Sequence, residues 1–216
     1  MKKYDTVLFD LDGTLTDPSA GLVSSFKYAL DKMGVQYGTT ESLKRFIGPP
    51  LYAEWKRVFD FSDEEANRAL LTFREFYAVY GWWDNKLYDG IHEMLGALKG
   101  AGLVLAVATS KPEVFAKKVL HLFDLDKYFD FIGAADTDRT RDKKNEVIEH
   151  VFANIGQEKR AHAVLVGDRK FDAEGAAMCG IKSIGVLYGH GSYEEMSASA
   201  FEALFEEPSE VVEYLK

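Results

Sequence analysis

A run of apolar residues that ends in two acids near the N-terminus constrains this chain more than any other feature. Val7-Leu8-Phe9 leads into Asp10-Leu11-Asp12-Gly13-Thr14-Leu15. Three consecutive apolar residues before a turn signal are the pattern of a strand buried on both faces, as in a parallel sheet. In extended chain the side chains of residues two apart point the same way, so the carboxylates of Asp10 and Asp12 can crowd one small site. Gly13 lets the chain turn sharply away. Two like charges that close demand a cation between them, or a proton on one of them. The pair is therefore a magnesium site, or a nucleophile beside an acid/base, or simply two turn residues. A calcium loop is a poor fit: the third ligand position falls on Thr14 and the twelfth on Gly21, where a glutamate is required.

The 216 residues are enough for one sizeable core, or for a core with a small inserted domain. A net charge of −9 argues against nucleic acid or an anionic membrane surface as a partner. An anionic substrate would have to be drawn in by local cations. The single cysteine, Cys179, allows no intrachain disulfide and agrees with a cytoplasmic location. No apolar stretch is long enough to span a bilayer, and the apolar run at the N-terminus is too short for a signal peptide.

After Leu15 the pattern becomes helical. Leu22, Phe26, Ala29, Leu30 and Met33 share one helical face that ends at Gly34. Glu41–Ile47 reads as a short helix closed by Gly48-Pro49-Pro50, and Pro50 can open the next helix, which carries Leu51, Trp55 and Val58. Ser62 and Glu65 have capping-box spacing and start a long helix that ends at Gly81. Residues 16–84 are thus expected to be an all-helical insert. From Asp89 onward strands and helices alternate. Leu103–Ala108, Phe131–Gly133, Ala163–Val166 and Ser183–Val186 read as strands, and Ser110 with Glu113 has the spacing of another capping box. Ser192 and Glu195 cap a short helix, and Glu207–Leu215 reads as the last one. Such alternation predicts an α/β fold with a Rossmann-like parallel sheet, helices on both faces, and residues 1–15 and 85–216 forming one discontinuous core.

Ligands of open parallel sheets bind beyond the C-terminal ends of the strands. Those ends carry Asp10 and Asp12, then Thr109 and Ser110, then Asp168 with Asp172 four residues on. Each has an ordinary reading as a turn or cap residue. A cluster of buried carboxylates without a function would, however, cost several kcal/mol in repulsion and desolvation.

Asp10-Leu11-Asp12-Gly13-Thr14-Leu15 resembles the first signature of the haloacid dehalogenase (HAD) superfamily. Thr109 resembles its second signature, Lys144 at a helix start (favoured over the adjacent Lys143 only by its spacing to the helix) its third, and Gly167-Asp168-Arg169-Lys170-Phe171-Asp172 its fourth. The helical insert lies where that family places an α-helical cap. Phe46-Ile47-Gly48-Pro49-Pro50-Leu51 is similar to the phosphoglycolate phosphatase-like branch. The resemblance implies a magnesium-dependent phosphatase acting on a small phosphorylated metabolite through an aspartyl-phosphate. Asp10 would be the nucleophile and Asp12 the acid/base. Thr109 and Lys144 would hold the phosphoryl oxygens, with Gly13 and Ser110 also contacting substrate. Mg2+ would be held by Asp10, the Asp12 carbonyl and Asp168, with Asp172 supporting them.

Lys44, Arg45, Lys56 and Arg57 offer cations in the insert, and Arg45 is the expected substrate contact there; an ordinary solvated basic face is the plainer reading. Trp55, Trp82 and Trp83 read as packing more readily than as base-stacking residues. Alternatives within the scaffold are a phosphomutase, a 5'-nucleotidase or a pyrophosphatase. A rival of a different class is a non-catalytic phospho-acceptor module. In such modules the phosphorylated aspartate lies on a middle strand and no helical insert follows the first strand, and neither feature fits.

Overall fold

The computed structural model describes residues 3–48, 51–136 and 140–216. The chain divides into two compact units, one of Met1–Asp17 with Leu87–Lys216 and one of Pro18–Lys86.

The first unit is built on a six-stranded sheet. Its strands are β1 (Thr6–Phe9), β4 (Val104–Pro112), β5 (Phe131–Ala135), β6 (Ala163–Gly167), β7 (Lys182–Val186) and β8 (Leu204–Phe205), in spatial order β5-β4-β1-β6-β7-β8. Two further short strands, β2 (Thr16–Asp17) and β3 (Lys86–Leu87), form a separate two-stranded sheet on the segments that join the units. Every pairing in the large sheet is parallel. β1 lies between β4 and β6, with Leu8 opposite both Ala106 and Leu165.

The strands are apolar without alternation because both faces are covered. On one face Leu8, Ala106, Ala108, Ala163 and Leu165 pack against Val147, Ile148, Val151 and Phe152 of α6 (Lys144–Ile155) and Ala176 of α7 (Lys170–Met178). The alternate residues Val7, Phe9, Leu105, Val107, Val164 and Val166 are buried as well. Helices α4 (Ile91–Gly100) and α5 (Glu113–Leu122) also pack on β4, and α9 (Pro208–Leu215) packs on α4. The expected Rossmann-like α/β layering is present.

The second unit is helical. It comprises α1 (Ser19–Lys32), a 3-10 turn (Glu41–Phe46), α2 (Leu51–Phe59), α3 (Asp63–Phe76) and a π-helical turn (Tyr77–Gly81). Pro49 and Pro50, the expected helix stop and start, lie outside the described residues. Ser62 accepts from the Glu65 amide while Glu65 reaches back to Ser62, so the capping box read from the sequence forms. The core of this unit is aromatic: Phe26 lies 6.0 Å from Phe46, 6.1 Å from Trp55 and 5.3 Å from Phe73 between ring centroids. Trp55 is fully buried among them and so belongs to the packing of this unit.

Two local expectations fail. Thr16–Asp17, inside the stretch 16–84 read as all-helical, pairs with β3 as a strand. Ser110 and Glu113 do not form a capping box, because β4 continues through Pro112 and the helix begins at Glu113 without a side-chain cap. Pairing with β5 keeps the chain extended past Thr109, at the cost of a register shift between Thr109 and Pro112.

Candidate active site

The carboxylates converge because two neighbouring strands of one parallel sheet, β1 and β6, end side by side. Asp10 follows β1, and its amide donates to Val166 O of β6. Asp168 follows β6 directly, and Asp172 lies in the first turn of α7. One carboxylate oxygen from each of Asp10, Asp168 and Asp172 lies within 4.8 Å of the others. This is the one group of potential metal ligands found among the described residues.

The surroundings fix each acid. Asp168 is wholly buried and accepts from Thr14 Oγ1 at 3.3 Å and from the His190 amide at 2.8 Å. Asp172 accepts from the Arg169 amide at 3.1 Å, a carboxylate reaching back over the start of its own helix. Gly13, at φ +86°, makes the turn that a side chain would resist, and its amide donates to Thr16 O at 2.7 Å. Tyr188 donates to Thr14 O at 3.0 Å and anchors the same turn from the loop after β7.

Lys144 opens α6 and is buried against this cluster. Its Nζ lies 2.8 Å from Asp10 Oδ1 and 2.8 Å from Asp172 Oδ1, and donates to Ala108 O at 2.8 Å. Burial works against its charge, but the Asp10 and Asp172 carboxylates outweigh burial and hold the ammonium above its usual range. A Cβ on Gly175 would stand 2.5 Å from Lys144 Cγ, so the glycine in α7 makes room for the lysine stem. Thr109 is buried at the end of β4 and Ser110 is exposed.

Burial pushes the Asp168 carboxyl well above the ordinary carboxylate range, and the charges of Asp172 and Asp10 add to the effect. Asp172 is raised by burial as well, with Lys144 opposing. A single ammonium therefore leaves the cluster with excess negative charge in a dry environment. Asp10 Oδ1 and Asp172 Oδ1 both face the one ammonium of Lys144, which is shared between them. Hard oxygen donors with unmet demand for positive charge fit a divalent cation such as Mg2+.

Asp12 takes a different partner. Its two carboxylate oxygens accept from Lys111 Nζ at 2.9 and 2.6 Å. Sequence reading passed over Lys111, although it follows Thr109-Ser110 at a strand end. It also passed over the Tyr188-Gly189-His190-Gly191 loop, whose composition after a strand was the available signal. In the helical unit, Lys44 pairs with Glu41 at 2.9 Å, Arg57 with Glu54 at 2.6 Å, and Lys56 with Asp63. The exposed Arg45 guanidinium lies 4.9 Å from the centre of the Phe46 ring.

The parallel sheet thus carries one acidic cluster at its strand ends. Residues 7–186 match the haloacid dehalogenase-like hydrolase family, and the chain belongs to it. It is 41% identical over 196 residues to a 5'-nucleotidase of Pseudomonas aeruginosa, spanning 91% of this chain and 88% of that protein. It is 40% identical over 185 residues to the tyrosine-protein kinase PtkA of Mycobacterium tuberculosis, spanning 86% of this chain and 62% of PtkA. The crystal structure of a predicted phosphatase from Clostridium acetobutylicum superimposes with a TM-score of 0.92 at 40% identity, covering 97% of each chain.

Proposed function

We propose that the protein is a magnesium-dependent phosphatase that hydrolyses a small phosphate monoester through an aspartyl-phosphate on Asp10. The observation that carries this reading is the grouping of Asp10 with the buried Asp168 and Asp172 around one potential cation position, with Lys144 against two of them. The Asp10 carboxylate attacks phosphorus and displaces the ester oxygen. Asp12 protonates that oxygen as it leaves, then takes a proton from the water that cleaves the intermediate. Lys144 and Thr109 hold the phosphoryl oxygens whose charge persists through transfer, with Gly13 and Ser110 bordering them. Mg2+, held by Asp10, Asp168 and the Asp12 carbonyl, would neutralise the phosphate charge that otherwise repels an anionic nucleophile. Asp172 keeps Lys144 in place.

In this reading residues 16–84 are the helical cap domain that selects the substrate, and Arg45 is its proposed substrate contact. Relatives named 5'-nucleotidase, pyrophosphatase and phosphoglycolate phosphatase frame the substrate class as a small molecule with a terminal phosphate. The test is hydrolysis of a panel of such compounds with and without Mg2+. Magnesium-dependent phosphate release from at least one member supports the reading, and none from any member contradicts it.

The likeness to a protein named a tyrosine kinase favours one second reading. The aspartyl-phosphate would pass its phosphoryl group to a hydroxyl acceptor, as a mutase also would, instead of to water. Phosphorylated acceptor in place of free phosphate would distinguish the two.

A further inference from the structure

Lys111 is the buried cation that the proposed steps leave unused. It stands 7% exposed at the end of β4. The pairing of β4 with β5 runs in register from Ala106↔Phe131 to Thr109↔Ala134, then jumps to Pro112↔Ala135. Ser110 and Lys111 therefore have no counterparts on β5, and the strand bulges there. The Lys111 amide donates to Thr109 Oγ1 at 3.2 Å, which fixes the bulge from within. Ser110 is left exposed and Lys111 is turned inward. Its ammonium reaches both oxygens of Asp12, with side chains 4% and 22% exposed.

An ion pair this dry is a poor device for stability, since desolvation of the two charges offsets their attraction, and an apolar residue of like volume would pack as well. It is a good device for geometry. An aspartate side chain turns freely about two bonds, and a catalytic proton transfer requires it in one orientation. Two hydrogen bonds from one ammonium remove that freedom.

We propose that Lys111 is a positioning residue for Asp12, holding its carboxyl group in the orientation that serves both proton transfers. The inference rests on the acid/base role proposed for Asp12. In the first transfer the P–O ester bond breaks, its electron pair stays on the leaving oxygen, and that oxygen takes the proton of Asp12. The second carboxyl oxygen still accepts from Lys111, so the acid is held while it reacts. In the second transfer water forms a bond to phosphorus and the Asp10 oxygen departs with the electrons of the bond it loses. Asp12, clamped through both oxygens, takes the proton of that water. Lys111 stays an ammonium throughout.

The test uses Lys111→Met, which keeps the volume, Lys111→Arg, Asp12→Asn and the Lys111→Met/Asp12→Asn double variant. Each is assayed on an alkyl phosphate and on dinitrophenyl phosphate, whose leaving group departs without a proton. Folding is checked by circular dichroism. The parameter compared is kcat/KM, which reports the steps up to the aspartyl-phosphate. Lys111→Met is expected to lower kcat/KM about 10²-fold on the alkyl ester. On dinitrophenyl phosphate the loss should stay below about 3-fold, and in the double variant it should not exceed that of Asp12→Asn alone. Lys111→Arg should recover part of the loss on the alkyl ester. Equal losses on both substrates with a raised KM would overturn the inference and make Lys111 a phosphate ligand. Losses that add in full would overturn it as well. If Asp12→Asn shows no dependence on the leaving group, the acid/base reading of Asp12 fails and this inference falls with it.

Discussion

Gly13 and Asp168 approach so closely that a Cβ on the glycine would stand 2.1 Å from the aspartate Oδ2. The glycine turns the chain at φ +86° in the space that leaves Asp168 undisturbed. Gly13→Ala should therefore fail twice, once through backbone strain and once through the clash. Overpacking of this kind costs about 1–3 kcal/mol. The expected outcome is a lowered denaturation midpoint together with a loss of hydrolysis that is larger than the loss of stability explains, measured by urea titration and steady-state kinetics.

Three carboxylates facing one another, two of them buried, should make the protein respond to magnesium without any substrate. Binding to the native state alone stabilises by about 2.7 kcal/mol at 100 times Kd. For a chain of this size that is a rise in Tm of roughly 5–10 °C. A thermal melt with and without Mg2+ checks this. Asp168→Asn should abolish most of the shift.

Lys144 is the ammonium that offsets Asp10 and Asp172. Lys144→Met removes it and leaves the acids facing each other without compensation. Breaking a buried pair from one side costs about 3–5 kcal/mol. The urea midpoint should fall accordingly and should recover in part when Mg2+ is added. Equal losses with and without the ion would contradict the electrostatic account of the cluster.

The parts of this arrangement that were legible in the sequence are those written in local pattern. Apolar runs such as Val7–Phe9 and Ala163–Val166 identify strands covered on both faces, and in a parallel sheet their ends must lie side by side. That alone brings Asp10 and Asp168 to one edge. The parts that were not legible depend on pairing between distant segments. Lys111 points inward because β4 loses register with β5, and nothing near Lys111 encodes that shift. The same extension of β4 defeats the capping box read at Ser110 and Glu113, since a paired strand outweighs a local side-chain preference. The contribution of His190 is a backbone amide donated to Asp168, which its side chain gives no hint of.

Trp55 is fully buried at the centre of the aromatic cluster formed with Phe26, Phe46 and Phe73. Trp55→Ala should cost about 3–5 kcal/mol. Amide hydrogen exchange should show the loss of protection concentrated in residues 18–86, where this ring is the largest buried side chain.

Covalent capture of the phosphoryl group addresses the central claim most directly. Rapid acid quench during turnover, followed by mass spectrometry of the peptide that carries Asp10, should find the phosphate on that residue and nowhere else. Asp10→Asn should show neither the adduct nor hydrolysis above about a thousandth of the wild-type rate. Phosphate on another side chain, or an Asp10→Asn variant that still turns over, would contradict the account.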